Sequence, residues 1–410
     1  MLETQLDFNF KDMFRAPRLA FGRRMLVMLE ALFASYLVFV FFTYLALLVD
    51  GYSFGSIWNK LHLFPLPLVQ YASGLAARIL VALSYVFAFL AIWLGFTAVA
   101  KITIKEYKGD LFYSSKDGWK WAMKNWFPVF FGPISIAIVI GFFVLLAALF
   151  GWLAQWPVLD IIFYGLLFVI FLPTALFLVF SVLTLAVGIY MSPAIVACAE
   201  EDTMGSMFGS YTLLWNQPLR LIAYTLMTVV AAFIGYHVFY FFMLSAFKTI
   251  DMVFGHEWIM GDAFLAVKQV GQDLFGNFSF LPSYYELPGF LLPGAAGGCG
   301  SMGGCAGCAS IPVYTPSLTQ AISGVIVGLV SLLGYFAVPA YALATLATGF
   351  STSFIVLTKH KDDQDLIKRK DADERAEAEA AEAEEEVENN SVTSKTDTSD
   401  DSDEAISKPE

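Results

Sequence analysis

Residues 111–150 read LFYSSKDGWKWAMKNWFPVFFGPISIAIVIGFFVLLAALF, and this stretch decides the fold. Its first part interleaves Lys116, Lys120 and Lys124 with Trp119, Trp121 and Trp126, while residues 127–150 hold no charge at all. Bilayer hydrocarbon about 30 Å thick is crossed by roughly 20 apolar helical residues. The second part is therefore a transmembrane helix. The first has a possible helix cap at Ser114 or Ser115 and the Lys/Trp mixture of a helix lying at headgroup level. A short amphipathic entry followed by a span is thus the unit to look for elsewhere in the chain.

Five more segments meet the length criterion: 25–49, 76–100, 158–190, 219–246 and 319–357. They are continuous apolar runs without the two-residue alternation of a lipid-facing strand, which predicts an all-α polytopic membrane protein with six spans. Segments four and six carry internal prolines, Pro173 and Pro339, each of which removes a backbone donor and is expected to kink its helix. Similar entries precede the odd-numbered spans: FKDMFRAPRLAFGRR before the first and EEDTMGSMFGSYTLLWNQPLR before the fifth. The last places Glu200, Glu201 and Asp202 at a helix start, where the dipole favours negative charge, and ends near Trp215. The expected architecture is three hairpins, each preceded by an interfacial amphipathic helix, over residues 1–100, 101–197 and 198–358.

Composition agrees. The 410 residues are 58% hydrophobic and 15% charged, with mean hydropathy +0.66, against the ~25% charged of a soluble domain. The formal net charge of -12 belongs to an appendage, because residues 371–410 contain 16 Asp/Glu against 3 Lys/Arg. With no basic patch to neutralise phosphates, nucleic acid is excluded as a partner. The domain plan is a leader over 1–24, a membrane domain over 25–358 interrupted by a loop at 247–318, and an acidic, disordered tail over 359–410. The run from Met25 is too long for a cleavable signal sequence and is read as a retained anchor.

Basic residues set the orientation. They concentrate in the leader (Lys11, Arg15, Arg18, Arg23, Arg24), in the second connection (Lys101 to Lys124) and after the last span (Lys359 to Lys370). These flanks, and both termini, are expected in the cytoplasm of a bacterial inner membrane, with loop 247–318 outside. The fourth connection, 191–218, fits only by parity, since it opens with three acids and its nearest cation is Arg220.

The stretch SPAIVACAEEDTMGSMFGSYTLLWNQPLRLIAYTL (192–226), together with WKWAMKNWFPVFFGP (119–133), resembles the YciC-like and glycerophosphodiesterase-membrane-domain group of bacterial integral membrane proteins, over about 101–246. The resemblance implies a helical membrane region without catalytic residues of its own, and this chain has no appended phosphodiesterase domain.

Few residues carry chemistry. His237, with Tyr236 and Tyr240, lies mid-span, where an ionisable group signals either a proton pathway or a neutral imidazole bonded to a neighbour. Cys299, Cys305 and Cys308 in LPGAAGGCGSMGGCAGCASIP are candidates for a disulfide, for unpaired thiols, or for a metal or redox site completed by His256 or Glu257. Cys198 is read as a packing residue. Trp119, Trp121, Trp126 and Trp215 are the interfacial aromatics. No nucleotide, hydrolase or zinc-protease motif occurs in a suitable setting, so the chain is not expected to be an enzyme and no cofactor is implied. Three function classes remain. The first is a scaffold, assembly or accessory factor whose partners are the bilayer and a protein held at the outer loop or acidic tail. The others are a small-solute or ion transporter lined by helices four and six, and an external cysteine site.

Overall fold

The computed structural model describes residues 6–63, 73–156, 161–274, 315–362, 365–369 and 371. Two compact units divide at Gln364. In the described part of the second, Asp365 opens a turn, accepting from the Ile367 N–H at 3.2 Å.

The first unit is all helix among its described residues. Short turns Phe10–Arg15 and α1 (Ala16–Leu19) lead into α2 (Arg23–Val49), α3 (Phe54–Leu61) and α4 (Leu75–Tyr107). Then come α5 (Ser115–Lys124), α6 (Trp126–Leu153), a π-helical turn Ile161–Leu166 and α7 (Phe168–Ala199). The last group is α8 (Thr203–Asn216), α9 (Pro218–Phe254), α10 (Asp262–Asp273) and α11 (Leu318–Asp362). Six of these, α2, α4, α6, α7, α9 and α11, are long and apolar enough to cross a membrane. They pair as three hairpins, α2 with α4, α6 with α7 and α9 with α11. The second helix of each hairpin outruns its expected span by several residues at the lysine- and arginine-bearing end. Pro173 and Pro339 sit inside continuous helices, as do Pro133 and Pro193.

The hairpins form a closed ring of three similar parts. Their second helices α4, α7 and α11 pack against one another. Each is held close to its own first helix by a glycine at a corresponding level: a methyl added to Gly95 would lie 2.6 Å from Ala31 Cβ, one added to Gly188 would lie 3.1 Å from Ile136 Cδ1, and one added to Gly349 would collide with Thr228. Small residues permit this approach, which gives helix association in lipid its van der Waals attraction.

The entry helices add a second repeating element. Each docks on the hairpin before it. Helix α5 lays Gly118 on Ile102 of α4, and α8 lays Gly209 on Ile195 of α7; both isoleucines stand seven residues after the close-contact glycine. The leader docks on the third hairpin, where Ser353 Oγ bonds Met13 Sδ at 2.9 Å and the Tyr341 hydroxyl donates to Pro17 O at 3.0 Å. The first segment of the chain thereby closes the ring on the last. Cap chemistry starts these helices. Ser114 Oγ accepts from the Asp117 N–H at 3.3 Å, while Asp202 Oδ1 accepts from the Gly205 N–H at 2.7 Å. The amphipathic entries are thus packed helices whose outer sides, Met123 of α5 and Trp215 of α8 among them, remain exposed, while Trp126 opens the span α6.

Candidate functional site

Burial changes abruptly along each second helix. In α4, residues 77, 81 and 84 form one buried stripe, but from residue 93 to 104 every side is covered; α7 changes in the same way at 191 and α11 at 337. The fully covered halves meet at the basic end, where the charged groups of the membrane domain gather.

Lys101, 1% exposed, extends its ammonium to 2.6 Å from Glu200 Oε1 and lies 4.8 Å from the Trp121 ring centroid. Three elements supply this junction. Lys101 belongs to α4, Trp121 to α5, and Glu200 ends α7 in a left-handed conformation with φ 54. That conformation normally selects glycine or asparagine. Here it turns a carboxylate back toward the buried lysine, and Asp202, two residues on, caps α8.

A second junction centres on Arg24, also buried. Its Nε donates to Thr103 Oγ1 at 3.1 Å, Nη1 to the Leu19 carbonyl, and Nη2 lies 3.1 Å from Glu106 Oε2. Arg23 donates to the carbonyls of Leu111 at 2.7 Å and Tyr113 at 2.8 Å. The Tyr107 hydroxyl meets Thr352 Oγ1 at 3.0 Å, and buried Asp12 pairs with Arg15 at 3.1 Å. Leader, second connection, fourth connection and the end of α11 are therefore at one end of the molecule. The acidic start of residues 191–218 is accounted for, since Glu200 answers a lysine of the second connection.

These contacts can hold helices together, and each charged side chain named here is engaged by an ion pair or a hydrogen bond. A buried ion pair contributes little net stability over an apolar replacement, but removing one partner is costly because the other charge remains buried. The chemistry is that of a clamp.

The sequence-selected residues fall elsewhere. His237 faces outward from α9, its Nδ1 2.9 Å from the Phe233 carbonyl of its own helix and its ring on Phe233. Tyr236 and Tyr240 stack in parallel, with centroids 6.1 Å apart. His256 helps shape the turn between α9 and α10, where its Nδ1 accepts from the Trp258 N–H at 3.4 Å. Cys299, Cys305 and Cys308 lie outside the described residues, as does the tail beyond Asp371. Cys198 is buried with Sγ 4.0 Å from Ala100 O. Glu30 of α2 accepts from Trp119 Nε1 at 2.7 Å and so helps seat α5.

Within the stretch HEWIMGDAFLAVKQVGQDLFG, helix α10 starts at Asp262 and leaves Trp258 91% exposed. Its Gly271 lies against Gly324 and Gly328 of α11, and Lys268 pairs with Asp251 at 2.6 Å. At its end, the Leu274 carbonyl accepts from the Leu63 N–H at 3.2 Å. Helix α10 thus bridges the first and third hairpins at the end away from the lysine clamp. Sequence reasoning missed the Lys101–Glu200 pair because it used Lys101 as a marker of sidedness and Glu200 as a helix-start acid. The available signal was a lysine set among Ala98, Val99, Ala100 and Ile102, which only a buried partner explains. No family model, curated protein or solved structure matches the chain, so its function has to be argued from these residues and their geometry.

Proposed function

We propose that this is a non-enzymatic scaffold or accessory factor of a bacterial inner membrane, oriented with the clamped end and both termini in the cytoplasm. The observation that carries the reading is the fixed use of charge: Lys101, Arg23 and Arg24 tie leader, connections and α4 to one another rather than facing a path across the bilayer. The basic flanks at that end support the orientation. Such a clamp holds three apolar hairpins at set positions and leaves Trp258 and the exposed side of the α9–α10 turn for contact with a partner at the opposite face.

A photocrosslinking amino acid at Trp258 in intact cells, followed by mass spectrometry, tests this. Discrete adducts with one or a few membrane proteins are expected. Solute-dependent flux by the purified protein in liposomes, with lipid-only adducts in cells, would overturn it in favour of transport. Thiol labelling of Cys299, Cys305 and Cys308 in intact cells with an impermeant reagent tests the orientation, since protection until lysis would reverse it.

A further inference from the structure

Lys101, Arg23 and Arg24 are engaged by protein groups, but the same connection carries three cations that are not. Lys116, Lys120 and Lys124 of α5 are exposed, and among the described residues none of them forms an ion pair. They recur every four residues and so stand in one row, on the side of α5 opposite buried Gly118 and Ala122. Two carboxylates on or beside the helix are already bound. Asp117 accepts from the Ser114 hydroxyl at 2.6 Å and the Ser114 N–H at 3.2 Å, with Lys120 a lesser influence on it, and Glu30 accepts from Trp119 Nε1.

Nothing in the folding of α5 accounts for the row. Like charges four residues apart repel along a helix, and Lys116 stands in the first turn, the end at which the helix dipole disfavours a cation. Docking does not call for lysines either: with Gly209 of α8 aligned on Gly118, Tyr211 and Trp215 stand where α5 has Lys120 and Lys124. Position and companions say what the row meets. A single residue, Asn125, separates Lys124 from the transmembrane helix α6, which opens on exposed Trp126 and Phe127, and Met123 is 57% exposed on the lysine side.

We propose that this face of α5 is a recognition surface for anionic phospholipid headgroups. The lysine row matches their negative charge, while Met123, Trp126 and Phe127 lie against the upper part of the acyl chains. A soluble anion would satisfy the lysines alone; an anionic lipid matches both halves of the surface. This preference among lipids goes beyond the scaffold role and is independent of a partner at Trp258.

The test uses the full-length protein in bilayers of phosphatidylglycerol and phosphatidylethanolamine in equal amounts, with bromine on the chains of one lipid or the other. Both leaflets are alike, so orientation does not enter. The share of indole fluorescence that Trp126→Phe removes reports on this site, and brominated phosphatidylglycerol should quench that share more than brominated phosphatidylethanolamine. The relative association constant should fall by up to about fivefold for each of Lys116→Gln, Lys120→Gln and Lys124→Gln, persist when all three are arginine, and weaken as salt is raised. Equal quenching by the two lipids, or a preference that the triple glutamine variant keeps, would overturn the proposal. So would loss of the preference in the arginine variant, since headgroup attraction follows charge, or capture of an acidic protein in place of lipid by a photocrosslinker at position 120 in cells.

Discussion

The two halves of the same helices live in different worlds. Toward the basic end, α4, α7 and α11 are covered on all sides, with Ser, Thr and Lys among the buried residues; toward the other end each is buried along one stripe and open elsewhere. The difference teaches that hydropathy reports depth in a membrane and says little about packing. Lipid tails are as apolar as leucine, so a helix side that faces protein is marked by small and polar residues rather than by extra hydrophobicity. Gly95, Ala98 and Lys101 mark the packed half of α4, while Ile79, Val86 and Phe89 mark the open one.

The sharpest way to break this contrast is at the clamp. Lys101→Met takes the ammonium away from the part-buried Glu200 carboxylate, and a loss of up to about 3–5 kcal/mol is expected, read as a fall in melting temperature of the detergent-purified protein. The double change Lys101→Met with Glu200→Leu should recover most of it. If the single variant melts like the natural protein, the basic end is not a locked core.

Glycines give the next test, because the same substitution has opposite meanings in the two halves. Gly95→Ala pushes a methyl to 2.6 Å from Ala31 and should cost about 1–3 kcal/mol. Gly141→Ala meets open space and should be neutral, or stabilising by up to about 1 kcal/mol from the gain in helix propensity. Equal effects at both sites would dissolve the distinction.

Smaller effects are expected at the entry helices. Ser114→Ala removes the cap of α5 and should cost about 1 kcal/mol. The Ser114 hydroxyl and N–H hold the Asp117 carboxyl below the usual carboxylate range. A depressed folded value contributes stability above the unfolded one and loses it as pH falls through the folded one, so the Ser114→Ala penalty should shrink in acid below about pH 4. Denaturation midpoints measured at neutral and acidic pH check the sign. Least of all is expected at the open end, where Leu145→Ala should change the melting temperature by no more than about 0.5 kcal/mol of stability implies.

The sequence showed the spans because charge-free runs have little alternative, and segment 25–49 differs from α2 by two residues at its start. It missed the extensions of α4, α7 and α11 because residues such as Lys105, Ser192 and Thr358 look like loop or boundary residues when read singly. Their helical context comes from the neighbouring hairpin. Pro193 and Pro133 passed unnoticed as interior prolines because both lie near a span's edge. The repeat was visible as an order of segment types. Its strongest evidence, glycines at matching levels in three helices, needed the pairing of hairpins to give Gly95, Gly188 and Gly349 a common meaning. His237 stood out by rarity, and rarity said nothing about which way its helix faced.

The docking of the leader on α11 also has a consequence for how the chain is made. Met13 and Ser353, which touch in the finished protein, are 340 positions apart. At about 5–20 residues per second of synthesis, roughly 17–70 s pass between the appearance of one and of the other. Throughout that interval Met13, buried in the finished protein, and Phe21, which packs on Phe239 and Tyr341, lack those partners. The ring can be completed only after translation has passed α11, so the residues made first are among the last to find their place.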